Sequence, residues 1–213
     1  MSPTKETIDR IVSLEWDMFQ LVNEGGPRAD CQDDRDTFDA MRRAQFEAWS
    51  GNAAECYLED LTLATLTGRN LIFEKYAHMM RTTAPERYAE LTKHIKMPTS
   101  RIRALAREVC AKLVAQTEEL HRLFPYVADS GRPLHSEDDI YGTVSVETYQ
   151  LGELLTYSDI TLAALLDHID KLAAQGKSLA REILLGSVRY YGYASLEDAE
   201  KTTRERMIGG GRA

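Results

Sequence analysis

The sequence predicts an all-α fold, on three observations. Apolar residues recur at steps of three and four along almost every long segment, the period of a helix with one buried face. No segment sustains the alternation of a half-buried strand. Glycine, proline and short polar residues fall between the periodic stretches, where helices begin and end.

In residues 4–23, Ile8, Ile11, Val12, Trp16, Phe19 and Val22 form one stripe, which stops at Asn23-Glu24-Gly25-Gly26-Pro27. Asp33, Asp34 or Asp36 can cap the next helix, which carries Phe38, Met41, Gln45, Phe46 and Trp49. After Ser50-Gly51-Asn52, a helix runs through Tyr57, Leu58, Leu61 and Leu66 toward Gly68. Leu71, Ile72, Tyr76, Met79 and Met80 mark another, and Thr83-Ala84-Pro85 opens a short one with proline in its first turn. Met97-Pro98-Thr99-Ser100 breaks the chain and caps the helix of residues 101–124, whose stripe includes Ile102, Leu105, Val109, Leu113, Leu120 and Phe124. A polar loop, residues 125–143, is long enough to suggest a functional role. A helix of about thirty residues is then expected from about 145 to 175, ended by Gly176. Leu179, Ile183, Leu184, Val188 and Tyr191 define the next, and Ser195 caps a final short helix. The expected architecture is a bundle of about eight helices in one domain, residues 1–208, with 209–213 as a disordered tail.

The chain also looks duplicated. Gly131 and Asp138-Asp139 repeat Gly26 and Asp33-Asp34 at an offset of 105, and Gly176-Lys177-Ser178-Leu179 repeats Gly68-Arg69-Asn70-Leu71 at 108. Between them, Ser145–Tyr149 resembles Thr37–Met41, and the run from Tyr157 resembles the run from Tyr57 after a gap. Two halves, about 5–96 and 100–200, would then pack about a pseudo-twofold axis, with the Asp-Asp loops facing a shared cleft.

Composition removes several classes of function. Against 26 Lys and Arg stand 34 Asp and Glu, a net charge of −8, which disfavours binding nucleic acid through its phosphates and a polybasic membrane anchor. No apolar run reaches membrane-spanning length, and the opening MSPTKETIDR has no apolar core of a signal peptide. Cys31, Cys56 and Cys110, odd in number and far apart, fit a reducing cytoplasm.

The candidate site residues are polar groups where a plain bundle would carry solvent-facing or apolar ones. The loop to Asp36 holds Arg28, Gln32, Asp33 and Asp34 at a helix start, where a polar ligand can bind. Arg28, Arg69 and Lys75 are natural anion clamps, with Asn70 beside them. Glu74 and His78 share a helix face and could ligate a metal, though no second Glu/His pair accompanies them. Tyr149, Glu153 and Tyr157 share another face, and Tyr191 sits in an aromatic, glycine-broken run. A buried carboxylate has a raised pKa and serves as acid or base, which makes Glu153 the expected general base; its bland alternative is a buried glutamate paired to Arg69 or Arg42. Gly152 beside it permits close approach of a helix or ligand.

Cys31-Gln32-Asp33-Asp34 with Thr37-Phe38, Met41-Arg42, Gln45-Phe46 and Trp49 resembles the opening of the bacterial domain of unknown function 4125 family. Gly68-Arg69-Asn70-Leu71 with Glu74-Lys75-Tyr76, Glu147-Thr148-Tyr149 with Gly152-Glu153-Leu154, and Tyr191-Gly192-Tyr193 with Ser195-Leu196-Glu197 are similar to its later signatures. The resemblance covers about residues 8–200. It implies a bacterial setting and supplies no activity. Val146 and Leu151 depart from the family's pattern, in which an aromatic and an arginine are expected.

The functional expectation is a small soluble, cytoplasmic enzyme acting on a small polar or amino-acid-like substrate, in a specialised biosynthetic pathway. Glu153, Glu74, Asp33 and Asp34 would supply acid–base chemistry of lyase, cyclase or isomerase type without a cofactor. Arg28, Gln32, Arg69, Asn70, Lys75, Tyr149, Tyr157 and Tyr191 would bind the substrate. The alternatives are a divalent-metal enzyme using the same carboxylates and a non-catalytic helical module that binds a partner protein. Monomer and homodimer both stay open.

Overall fold

The computed structural model describes residues 1–22, 28–129, 131–140 and 142–209. Among them the chain forms ten α-helices and no strand; a lone antiparallel bridge joins Ile140 and Thr143. The helices are α1 (Lys5–Gln20), α2 (Arg35–Glu47), α3 (Gly51–Leu66), α4 (Leu71–Thr83), α5 (Pro85–Leu91), α6 (Ser100–Leu123), α7 (Val146–Leu154), α8 (Asp159–Ala173), α9 (Leu179–Tyr190) and α10 (Leu196–Gly209). Short 3-10 turns, Asp30–Gln32 and Ser136–Asp138, precede α2 and α7.

Side-chain caps set most helix starts. Thr4, Asp34, Ser50, Asn70, Thr99, Ser145, Ser158 and Ser178 each accept a hydrogen bond from the backbone N–H three residues on. Each cap satisfies a donor the helix leaves free and contributes about 1 kcal/mol. Gly68 and Gly176 terminate α3 and α8 with φ of 68° and 67°, a backbone region that costs a residue with a Cβ.

The expected thirty-residue helix is two helices. Its stripe is continuous in sequence, but the chain turns between Leu154 and Asp159. The new start has a local part, the Ser158 cap, and a tertiary part: the Ser158 N–H and the Thr161 hydroxyl both donate to Asp60 on α3, at 2.8 and 2.7 Å. The final helix is longer than expected and includes Gly209, the first residue of the anticipated tail; residues 210–213 lie outside the described residues. So does the breaker cluster at 23–27, and with it Gly26 of the proposed repeat. The loop from 125 is tied down in part, since Glu200 on α10 accepts from the Tyr126 and Val127 N–H groups.

The order helix, 3-10 turn, three helices occurs twice, and packing crosses between the two sets. α4 lies against α7, α9 against α2, and α3 against α8. Glycine permits two of these approaches: Gly152 of α7 meets Met79 and the Lys75 carbonyl of α4, and Gly186 of α9 meets Ala44 of α2. The core between them is aromatic at its centre. Tyr57 and Tyr157 stand with ring centroids 4.5 Å apart, and Phe46 and Trp49 pack on Tyr57. Such pairs contribute about 0.5–1.5 kcal/mol each beyond the area they bury. A smaller apolar cluster of Leu120, Phe124, Val188, Leu196 and Ala199 joins α6, α9 and α10.

Candidate functional site

A network of buried charges runs through the aromatic centre. Glu15 of α1 is fully buried, and Arg42 of α2 holds it through two nitrogens. The same guanidinium reaches Glu153 of α7 at 3.0 Å. Lys75 of α4, 4% exposed, donates to the other Glu153 oxygen at 2.6 Å. Tyr57 donates its hydroxyl to Glu15 and Tyr157 donates to Glu153, at 2.7 and 2.6 Å. Gln45 adds a third donor to that Glu153 oxygen at 3.0 Å. Two carboxylates and two cations make the cluster neutral, which is what allows four charges to sit out of water.

This geometry corrects the expectation that burial raises the pKa of Glu153. Burial does push it up, but Arg42 and Lys75 outweigh burial and hold the carboxyl well below its ordinary value. Both oxygens are occupied by donors, so Glu153 is a fixed anion and has no free lone pair aimed at a substrate proton. The paired-glutamate alternative with Arg42 is the arrangement found. Burial disfavours the charge on Lys75, and Glu153 outweighs it and keeps the ammonium protonated. The ammonium also lies 3.7 Å from the centroid of the Tyr149 ring, a cation–π contact, with the Arg132 guanidinium 5.3 Å from the same ring. Burial, followed by the neighbouring carboxylates, drives the Tyr57 and Tyr157 hydroxyls well above their usual range, so both remain donors.

A cavity of about 450 Å³ opens beside this cluster, between α2, α6, α7, α8 and α9. Glu153, Gln45, Tyr149 and Tyr157 border it, and Trp49, Leu113, Leu179 and Ile183 give it apolar walls. His121 of α6 and Gln150 of α7 also line it. The His121 Nε2 and the Gln150 Oε1 are buried and make no hydrogen bond among the described residues. Its size and its apolar walls with a few polar groups fall in the range of small-molecule pockets.

Of the candidate site residues, Glu153, Tyr149 and Tyr157 line this cavity, and Lys75 joins them from behind through Glu153 and the Tyr149 ring. The others do not line this cavity. Glu74 is buried in a two-bond pair with Arg69, at 2.9 and 2.6 Å. Asn70 caps α4 and donates to the Met18 carbonyl. Gln32 is buried and donates to the Phe19 and Val22 carbonyls, which closes the end of α1. Arg28 pairs with exposed Asp33 and reaches Gln20, while Asp34 caps α2. Tyr191 is 59% exposed at the end of α9. Asp138 is exposed, and Asp139 accepts from the Ser145 N–H and from the Thr148 and Thr82 hydroxyls. Asp34 and Asp139 therefore serve helix starts, Asp33 pairs with Arg28, and none of the four aspartates lines this cavity or the one between α4, α6 and α7.

Glu74 and His78 likewise part company, since Glu74 holds Arg69 and His78 Nδ1 faces the Tyr88 hydroxyl. Among the described residues, no three His, Cys, Asp or Glu side chains are grouped to hold a metal ion. Burial, then Glu147, pushes the Cys110 thiol up to about 12.

Glu15, Arg42, Gln45, Trp49, His121 and Gln150 were not among the residues assigned to a site. A signal existed for two of them. Glu15 follows Ile11 by four and precedes Phe19 by four, and Arg42 stands likewise between Phe38 and Phe46. A charge in mid-stripe is buried if the stripe is, and needs a partner.

The fold and the cavity define an all-α protein with an internal ion network beside a small-molecule-sized pocket. The model of the Protein of unknown function (DUF4125) family matches residues 5–201, and the chain belongs to that family. No curated protein and no solved structure matches it. Among the described residues no helix is long and apolar enough to cross a membrane.

Proposed function

We propose that the cavity beside Glu153 binds a small organic molecule and that the chain is an enzyme acting on it. One observation carries this reading: a neutral, fully hydrogen-bonded charge cluster borders an apolar-walled cavity, and two residues of its lining, His121 and Gln150, each have a buried polar atom with no hydrogen-bond partner among the described residues. The apolar body of the substrate lies against Trp49, Leu179 and Ile183, and its polar end turns toward Gln45, Gln150 and His121. Glu153 works as a positioning residue that orients Gln45 and Tyr157. The proton-exchanging group is His121, since histidine is the commonest general acid–base and this one has an unpartnered nitrogen. The reaction class is the one expected from the sequence, proton transfer of lyase, cyclase or isomerase type. A bacterial, cytoplasmic setting in a specialised biosynthetic pathway belongs to the same reading.

The test is a thermal-shift screen of small carboxylates, amines and amides on the native chain and on Met41→Trp. Met41 is 48% exposed and lines the cavity, so a tryptophan there fills its solvent side without disturbing the core. The expected result is a compound that raises the melting temperature of the native chain and leaves Met41→Trp unmoved. Equal shifts in both proteins, or no shift by any compound, overturn the reading.

A further inference from the structure

A second cavity, of about 330 Å³, lies between α4, α6 and α7. Gly152 lines it while Glu153 lines the first, so α7 stands between the two. Its chemistry is different. Arg81 of α4 and Arg107 of α6 both line it, and neither has an ion pair or hydrogen bond among the described residues. Arg42, Arg43 and Arg69 by contrast each hold a carboxylate.

His78 supplies the independent observation. It lines the same cavity, is 4% exposed, and its Nε2 is buried with no hydrogen-bond partner. Burial, then Arg81, lowers its pKa to about 4, so the ring is neutral near pH 7 and carries one N–H. The Tyr88 hydroxyl lies 3.3 Å from Nδ1. In the tautomer in which Tyr88 donates to Nδ1, the proton sits on Nε2, a buried donor that lacks an acceptor. Such a donor is costly to leave unsatisfied, and what it lacks is an oxygen with lone pairs.

The acids nearby are already engaged. Asp139 takes the Thr82 and Thr148 hydroxyls, and Glu147, the one carboxylate among the described lining residues, accepts from the Ser136 N–H at 2.8 Å. Two arginines against one glutamate leave this lining positive, on a chain whose net charge is −8.

We propose that the cavity between α4, α6 and α7 binds a small molecule bearing an oxyanion, carboxylate or phosphate, held by Arg81, Arg107 and the Nε2–H of His78. Guanidinium groups bind either anion through paired charge-assisted bonds, and a neutral imidazole N–H adds a donor of fixed direction. The apolar remainder of the molecule lies against Leu151 and Leu155. This site does not depend on the cavity beside Glu153.

The experiment titrates inorganic phosphate and, separately, propionate into the full chain with its histidines labelled with nitrogen-15. The His78 ring signals and the heat of binding are read together. Arg81→Gln and Arg107→Gln are compared with Arg101→Gln, an exposed arginine paired with Asp159 and outside the cavity. Both cavity arginines are exposed, so their replacement leaves the fold intact, and an unchanged melting temperature checks it. The expected result is a saturable shift of the His78 signals by at least one anion, with about tenfold weaker binding in each cavity variant and none in Arg101→Gln. The anion that binds identifies the group as phosphoryl or carboxyl. No shift at His78 by either anion, equal affinity in the native and cavity variants, or equal weakening by all three variants overturns the proposal.

Discussion

Arg42 on α2 and Glu153 on α7 are 111 residues apart in the chain and 3.0 Å apart in the fold. The same guanidinium holds Glu15 on α1, so one side chain ties together three helices and two buried carboxylates. Removing it leaves Glu15 with the Tyr57 hydroxyl as its remaining partner and leaves Glu153 to Lys75, Gln45 and Tyr157. Arg42→Leu is expected to destabilise the chain by about 3–5 kcal/mol, because breaking a buried pair strands a charge in the interior. Arg42→Lys should lose less, since it keeps the charge and gives up the fork that spans two acids. Urea unfolding measures both; a loss below about 1 kcal/mol for Arg42→Leu would mean that water reaches the network, as it does at surface pairs.

His78 makes stability depend on pH in a defined window. Its folded pKa is lowered from 6.5 to about 4 by burial and then by Arg81. As pH falls below 6.5, the unfolded chain takes up a proton that the native chain refuses, so stability declines with falling pH. The decline ends near pH 4, where the native ring is protonated as well. The full loss across the window is about 3 kcal/mol. His78→Gln should flatten this part of the profile, read from urea midpoints at successive pH values. An unchanged slope in the variant would assign the pH dependence to other groups.

Gly152 brings α7 close to α4. A Cβ there would lie 2.8 Å from the Met79 Cγ and 3.1 Å from the Lys75 carbonyl oxygen. Met79 can turn aside, but the Lys75 backbone belongs to the helix that positions the ammonium under Tyr149. Gly152→Ala is therefore expected to cost about 1–3 kcal/mol, as overpacking does. At Gly186 the contacts are looser, 3.2 and 3.3 Å to Ala44, so Gly186→Ala should cost less. Melting temperatures of the two variants test the order; a more stable Gly152→Ala would show that the helices can part freely.

Part of the candidate site was legible in the sequence. Tyr149 and Glu153 share a face of α7 by spacing alone, whereas Tyr157, expected on the same face, lies in the turn after α7 and meets Glu153 through its hydroxyl. Lys75 was legible only as an anion clamp; its burial and its pairing with Glu153 were not. His121 and Gln150 were not, because a polar residue on a helix looks solvated until the packing of its neighbours is known. The Asp-Asp pairs looked like a site because loop carboxylates before a helix serve ligands and caps equally well; Asp34 accepts from the Thr37 N–H, and Asp139 accepts from Ser145 and Thr148.

By itself the sequence determined the helices: their stripes, their Ser, Thr, Asn and Asp caps, and the glycines that end α3 and α8. These are local properties, set by backbone sterics and by hydrogen bonds three residues long. Tertiary structure decided the rest. Asp60 on α3 holds the Ser158 cap in place and so divides α7 from α8, where no glycine or proline marks a break. The sign of the Glu153 shift was decided by Arg42 and Lys75, which arrive from other helices. A residue's burial follows from its own stripe, but its charge state follows from the partners that the packing brings to it.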